Sequence, residues 1–312
     1  MNLLGLHHIT AMASDPRANY DFYTRVLGLR FVKKSVNQDD PGTYHLYYGD
    51  QTGSPGSAIT FFPWPGLRRG RPGHGQAYAT AFSIPADSLA FWSERLAKLG
   101  AQTEPVAPRF GDQVLTVLDP DGLRLELVAS AEPDLRRPAR AKDIPPAHAI
   151  RGFHSSTLGL TDATATAEVL TRTMGYRLVS SEGMRSRYTV AAGGPGTYVD
   201  LLTDTWLPRG LNGAGTIHHV AFRTPDDASQ VQAHDEITRS GLHISPVIDR
   251  AYFKSIYYRE PAGILFEIAT DQPGFAIDEP VESLGTKLGL PPHLEPHRQE
   301  IEAALPPLNL KP

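Results

Sequence analysis

Residues able to do chemistry gather in three short stretches. Ile217-His218-His219-Val220-Ala221-Phe222 carries two adjacent imidazoles, and Leu6-His7-His8-Ile9-Thr10 nearly repeats it. Gly263-Ile264-Leu265-Phe266-Glu267-Ile268 adds a carboxylate. Two imidazoles and one carboxylate can hold a divalent metal on one face and leave the other face open. Such a centre binds a substrate oxygen and lowers its pKa.

Strand parity sorts the paired histidines, because successive side chains of a strand face opposite ways. His8 then shares a face with Leu6 and Thr10, and His219 shares one with Ile217 and Ala221. His218 goes with Val220 and Phe222. Sheets covered by helices turn their bulky apolar residues toward those helices. His8 and His219 are thereby sent to a concave side with small neighbours and room for a substrate. They are the candidate ligands, with His7 and His218 behind them or on the helix side. His154, in Gly152-Phe153-His154, competes with His8 for the first ligand position. Periodicity does not choose between the two.

The elements that position these residues repeat. A strand at 6–12 leads to Ser14-Asp15-Pro16, where a side-chain cap and a proline open a helix. That helix closes at Leu27-Gly28, and three strands follow at 29–34, 43–48 and 57–62. The unit reads βαβββ. It recurs at 76–130, 151–204 and 216–270. Thr171-Arg172-Thr173-Met174-Gly175-Tyr176-Arg177-Leu178-Val179 aligns with Thr24-Arg25-Val26-Leu27-Gly28-Leu29-Arg30-Phe31-Val32. Residues 260–268 align with 119–127 without a gap. Fixed-period self-similarity marks duplicated units. The fold class expected is α+β, with four βαβββ modules paired into two half-barrel domains. The division drawn along the chain is 1–135, 147–275 and a tail over 276–312 with a short helix near Glu300 and Ile301.

Composition bounds the partners. The 312 residues carry a net charge of -4, 21% charged and 40% hydrophobic residues, as in an ordinary globular protein. No nucleic-acid footprint is visible. Basic clusters at 67–71 and 136–140 lie in Pro/Gly-rich stretches and read as solvated loops. The absence of cysteine excludes disulfides, thiolate metal sites and a cysteine nucleophile, and fits a cytoplasmic protein. The N-terminus does not read as a signal peptide, and no stretch is long and apolar enough to span a membrane. Phosphate-loop, dinucleotide and nucleophile-elbow motifs are missing. His45, Tyr47 and Tyr48 read as packing residues with polar tips. Glu126, the repeat equivalent of Glu267, reads as structural; with His154 and Asp200 it could instead form a vestigial second site.

These residues resemble the vicinal oxygen chelate superfamily, which includes glyoxalase I and extradiol ring-cleaving dioxygenases. Within it the chain looks closest to the hydroquinone ring-cleaving dioxygenases. The likeness rests on Leu6-His7-His8-Ile9-Thr10, Tyr44-His45-Leu46-Tyr47-Tyr48, Arg151-Gly152-Phe153-His154-Ser155, residues 263–267 and Ser283-Leu284-Gly285. It implies a metal held by His8, His219 and Glu267, with module one paired to four and two to three. It also implies catalytic roles for Tyr257 and Arg250, with His7 and His218 behind the ligands. The implied metal is Fe(II), with Mn(II) accepting the same set. The implied partners are a small aromatic substrate and O2, with no nucleic acid or membrane, in a homodimer or higher homo-oligomer. Two other classes remain on the same scaffold. One is a glyoxalase-like lyase or isomerase, which usually needs a fourth Glu or Gln ligand. The other is a protein that sequesters an aromatic compound.

Overall fold

The computed structural model describes residues 1–130 and 132–308. Module one opens with β1 (Leu6–Ala13). Asp15 then caps α1 (Pro16–Asp21), its carboxylate accepting from the N–H groups of Arg17 and Ala18. Pro16 occupies the first turn, where its missing N–H costs nothing. The helix runs into a π-turn, Phe22–Val26, and stops at Gly28 with φ +70°. β2 (Arg30–Asn37), β3 (Asp40–Gly49) and β4 (Ala58–Pro63) complete the module.

Module two contains β5 (Gln76–Pro85), α2 (Leu89–Lys98), β6 (Gln102–Thr103), β7 (Ala107–Arg109), β8 (Asp112–Leu118) and β9 (Arg124–Ser130). Module three contains β10 (Gly152–Gly159), α3 (Thr164–Glu168), β11 (Arg177–Glu182), β12 (Arg185–Thr189) and β13 (Tyr198–Leu202). Its helix also ends in a π-turn, Val169–Thr173, followed by Gly175 at φ +74°. The aligned stretches of modules one and three therefore fold alike, even in this uncommon feature. Module four contains β14 (Thr216–Thr224), α4 (Asp227–Arg239), β15 (Ile248–Asp249), β16 (Phe253–Arg259) and β17 (Leu265–Pro273). The tail carries α5 (Arg298–Ala304).

The modules form two curled mixed sheets. One has the order β15-β16-β17-β14-β1-β4-β3-β2, and the other contains β11-β12-β13-β10-β5-β9-β8-β6. Antiparallel pairs β1–β14 and β5–β10 join the halves. Modules one and four thus share one sheet, and two and three share the other. The sequence halves 1–135 and 147–275 each contribute one module to each sheet. The continuous chain does not delimit a sheet, because each module's first strand finds its partner in the opposite half.

Two bulges interrupt the central pair. The β1–β14 register shifts between Leu6 and His8, and again between Thr10 and Ala11, where the facing residues are His219 and Ile217. His7 and His218 are the extra residues. A bulge resets which face each following side chain takes. Parity across an unbroken strand groups Leu6 with His8 and Ile217 with His219. The structure corrects this: Leu6 and Ile217 join the apolar core with Ile9, Val220 and Phe222.

The tail ties down the outer strand β2. Lys33 Nζ, fully buried, donates to Asp278 and Glu279 at 2.5 Å each and lies over the Tyr252 ring. Leu288 bridges to Lys34. An otherwise open sheet edge is covered in this way.

The repeated closing loops carry a buried acid. Asp119 Oδ1 accepts from the N–H of Leu123, as Glu260 Oε1 does from Ile264. Burial pushes the Asp119 carboxyl up to about 7, against the donors around it. An unfolded aspartate ionises near pH 3.9. Between about pH 4 and 7 the folded chain therefore holds a proton that the unfolded chain has released. Stability falls as pH rises through this window, by at most about 1.4 kcal/mol per pH unit. Asp119→Asn should remove this slope, so its melting temperature gains on the parent between pH 5 and 8. Parallel melting curves for the two proteins would show that Asp119 ionises normally.

Candidate metal centre and substrate cavity

Register brings the chemistry together. Tyr257 on β16 pairs with Glu267 on β17, Glu267 with Ala221 on β14, and Ala221 with His8 on β1. Two residues along, His219 pairs with Thr10, and Thr10 with Thr60 on β4. Neighbours across a sheet share a face. These rows lie on the concave side of the eight-stranded sheet.

Three ligand atoms converge there. His8 Nε2 lies 3.3 Å from Glu267 Oε2, His219 Nε2 lies 3.0 Å from the same oxygen, and the two nitrogens are 3.4 Å apart. All three residues are buried. Among the described residues this is the one cluster of three or more His, Cys, Asp or Glu side chains spaced to hold a metal ion. Ser255 Oγ donates to Glu267 Oε1 and leaves Oε2 facing the imidazoles.

Hydrogen bonds behind His7 and His8 set their tautomers. His7 Nε2 meets the Thr270 carbonyl at 3.1 Å, and a carbonyl only accepts, so the His7 proton sits on Nε2. His7 Nδ1 is then an acceptor for His8 Nδ1–H at 2.9 Å. His8 Nε2 is left as a bare lone pair. Burial, with His8 adding to it, lowers His7 to about 3 and keeps it neutral. The same Nδ1–Nδ1 contact recurs between His218 and His219 at 2.8 Å. The bulges make both contacts possible, because adjacent side chains of an unbroken strand cannot meet.

This donor set fits a divalent cation. Glu267 Oε2 is buried without a hydrogen bond, although two imidazole nitrogens face it. Burial pushes the Glu267 carboxyl up, but His8 and His219 outweigh burial and hold it well below the usual range. A cation between the three atoms would satisfy this oxygen and both imidazole nitrogens at once.

A cavity of about 340 Å3 opens over the cluster. Its walls include His45, Tyr47, Phe62, Trp64, Arg250 and Tyr257. That volume suits a small aromatic ring. His7 stands behind the cluster against Phe253, whereas His218 is exposed and reaches the cavity. Arg250 Nε donates to the Tyr257 oxygen at 3.2 Å, while its Nη2 lies 3.4 Å from Asp39. Ala251, at φ +73°, makes the turn between the Arg250 loop and β16.

Sequence reasoning passed over His45 and Tyr47 as packing residues. The structure puts both on the cavity wall, two residues apart on one face of β3. The available signal was their place in the repeat. Tyr47 pairs with Thr60 as Tyr257 pairs with Glu267, so Tyr47 and Thr60 are module-one counterparts of Tyr257 and Glu267.

Among the described residues the other sheet contains no such centre. His154 is the extra residue of a bulge between Phe153 and Ser155, which makes it the counterpart of His7. Its Nε2 lies 3.6 Å from Asp112, far along the chain from His219 and in the other sheet. Ser155 stands where His8 would be, and Ala79 where His219 would be. Arg109 takes both oxygens of Glu126, at 2.6 and 3.0 Å. Arg187 takes both oxygens of Asp200, at 2.8 and 3.1 Å. Guanidinium groups occupy the carboxylates that a metal would need.

Curled mixed sheets of βαβββ modules around such a cluster define a class. The chain matches the Glyoxalase/Bleomycin resistance protein/Dioxygenase superfamily over residues 5–127 and 146–268, and it belongs to that superfamily. It is 46% identical over 308 residues to the Bacillus subtilis (strain 168) protein named "Putative ring-cleaving dioxygenase MhqO", covering 99% of this chain and 97% of that one. It is 33% identical to the chlorohydroquinone/hydroquinone 1,2-dioxygenase of Sphingobium indicum, covering 95% and 94%. A crystal structure described as a "putative dioxygenase from Bacillus subtilis subsp. subtilis str. 168" matches with a TM-score of 0.94 at 45% identity, over 99% of both chains. Maize glyoxalase I shares the fold, with a TM-score of 0.62 at 16% identity over 86% of this chain and 92% of that one. The chain therefore stands among the ring-cleaving dioxygenases of the superfamily. No helix among the described residues is long and apolar enough to cross a membrane.

Proposed function

We propose that this protein opens hydroquinone-type aromatic rings with O2, using Fe(II) held by His8, His219 and Glu267. The observation that carries the proposal is the buried trio His8, His219 and Glu267, whose ligand atoms converge beneath an aromatic-lined cavity. The names of the relatives supply the substrate class. Fe(II) and Mn(II) both accept such a ligand set.

A bound metal would supply Lewis acidity toward a substrate hydroxyl and a place to activate O2. The chain does the rest. His7, locked to Thr270, holds His8 with Nε2 forward. Ser255 turns the Glu267 carboxylate. Phe62 and Trp64 line the cavity and exclude water from the ring. Arg250 only donates, so the Tyr257 hydroxyl keeps its own hydrogen for an oxygen that gains charge. His218, exposed to the cavity, can move a proton. Thr60 stands at the counterpart of Glu267, where a four-ligand lyase would place its extra carboxylate. That substitution argues for the open three-ligand centre.

The test is oxygen uptake by protein loaded anaerobically with Fe(II). Methyl- and chloro-hydroquinones should give rapid uptake, lost in His219→Ala. Silence with hydroquinones and catechol alike, despite bound metal, would turn the reading to a lyase or isomerase.

A further inference from the structure

Two walls of the cavity are built on one plan. On β16, Ser255 donates to Glu267, and Tyr257 sits two residues further on. On β3, His45 Nε2 meets Thr60 Oγ1 at 2.8 Å, and Tyr47 sits two residues further on. The registers match, Tyr257 opposite Glu267 and Tyr47 opposite Thr60. The two tyrosines thus occupy equivalent positions on the β16 and β3 arms that flank the central pair β1–β14. Both line the cavity. The metal-binding carboxylate exists on the β16 side alone, so the ligand cluster sits off the axis that relates the two walls.

A chain of hydrogen bonds fixes the β3 wall. Tyr47 OH lies 2.7 Å from His45 Nδ1, and Thr60 Oγ1 lies 2.7 Å from Thr10 Oγ1. Run in one sense, Tyr47 donates to His45, His45 to Thr60 and Thr60 to Thr10. The Tyr47 oxygen is then an acceptor. Run in the other sense, the Tyr47 hydroxyl is a free donor. A substrate hydroxyl can complement either, because it both donates and accepts. The Tyr47 ring packs on Phe275, which holds the hydroxyl in place.

A ring with two hydroxyls at opposite ends needs two polar stations. One is the metal. We propose that the Tyr47 hydroxyl, positioned by His45, is the second station, and that it selects 1,4-diphenols over phenols lacking the distal hydroxyl. A 1,2-diphenol would turn both oxygens to the metal and leave Tyr47 unused. This inference rests on the ring-opening reading above.

The test is anaerobic titration calorimetry of Fe(II)-loaded protein with hydroquinone and with phenol. The parent should bind hydroquinone about tenfold tighter than phenol, the worth of one well-made hydrogen bond. Tyr47→Phe keeps the ring and should bring that ratio near one, with one metal per chain and unchanged phenol affinity. His45→Phe should lower the ratio by leaving Tyr47 unpositioned, and His45→Gln, which can still bridge Thr60 and Tyr47, should restore part of it. In oxygen uptake, Tyr47→Phe should raise KM for hydroquinone and leave kcat nearly unchanged. A parental ratio in Tyr47→Phe overturns this inference and leaves ring opening intact. Failure of the loaded parent to bind either compound overturns both.

Discussion

Glu267→Gln should keep its fold and lose its metal. The amide has the volume of the carboxylate and can still accept from Ser255. It lacks the charge that His8 and His219 favour in a fully buried position. Two neutral imidazoles and an amide bind a divalent cation far more weakly than the parent set. Removing an outer hydrogen-bond partner already costs about 10–100-fold in metal affinity, and removing a charged ligand should exceed that. Metal at about 100 times its Kd stabilises the parent by about 2.7 kcal/mol, and the variant should show none of this gain. Metal analysis after dialysis, with melts taken with and without Fe(II), checks both statements. Full parental metal content in Glu267→Gln would remove Glu267 from the ligand set.

The second large effect concerns Tyr257. Tyr257→Phe should cut turnover about 100-fold or more, the usual worth of one hydrogen-bond donor or proton carrier at a reacting oxygen. Metal content should not change, because the tyrosine meets the edge of the His219 ring and is not one of the three clustered ligand residues. Burial, with Glu267 adding to it, pushes the Tyr257 hydroxyl well above its ordinary value, against Arg250. The group therefore stays protonated through neutral pH and acts as a donor. The parent should show no activity step assignable to Tyr257 below about pH 10, the ordinary tyrosine value. Steady-state oxygen uptake with metal analysis on the same sample separates a lost donor from a lost metal. Turnover equal to the parent would take Tyr257 out of the mechanism.

Arg250 connects the two tyrosine walls to the mouth of the cavity. Its guanidinium bonds Tyr257, stacks over that ring at 5.3 Å and faces Asp39 from the β2–β3 hairpin. Its positive charge lies on the cavity wall. The mouth is thus built from both ends of the eight-stranded sheet, and neither sequence half could form it alone.

The repeat, the module type and the concave placement of His8 and His219 were legible in the amino-acid order. Local patterning suffices for these. The cap at Asp15, the glycine stop at Gly28 and the alternation around Ile9 and Val220 are all short-range facts. The repeat also set Glu267 level with Glu126, at the same place in a second module. What the order could not show depends on register between strands far apart in sequence. The bulges at His7 and His218 arise only when β1 meets β14, and they reverse the faces that parity gives to Leu6 and Ile217. The same kind of bulge makes His154 the counterpart of His7, in line with Gly152-Phe153-His154 set against Gly5-Leu6-His7. Arg109 and Arg187 fill the second pair of carboxylates from neighbouring strands, so the choice between one metal centre and two is made by tertiary contacts. Tyr47 and His45 likewise look like core residues until the sheet curls and sets β3 on the cavity wall with β16. A strand period of two records which face a residue takes, and only the folded sheet decides what that face meets.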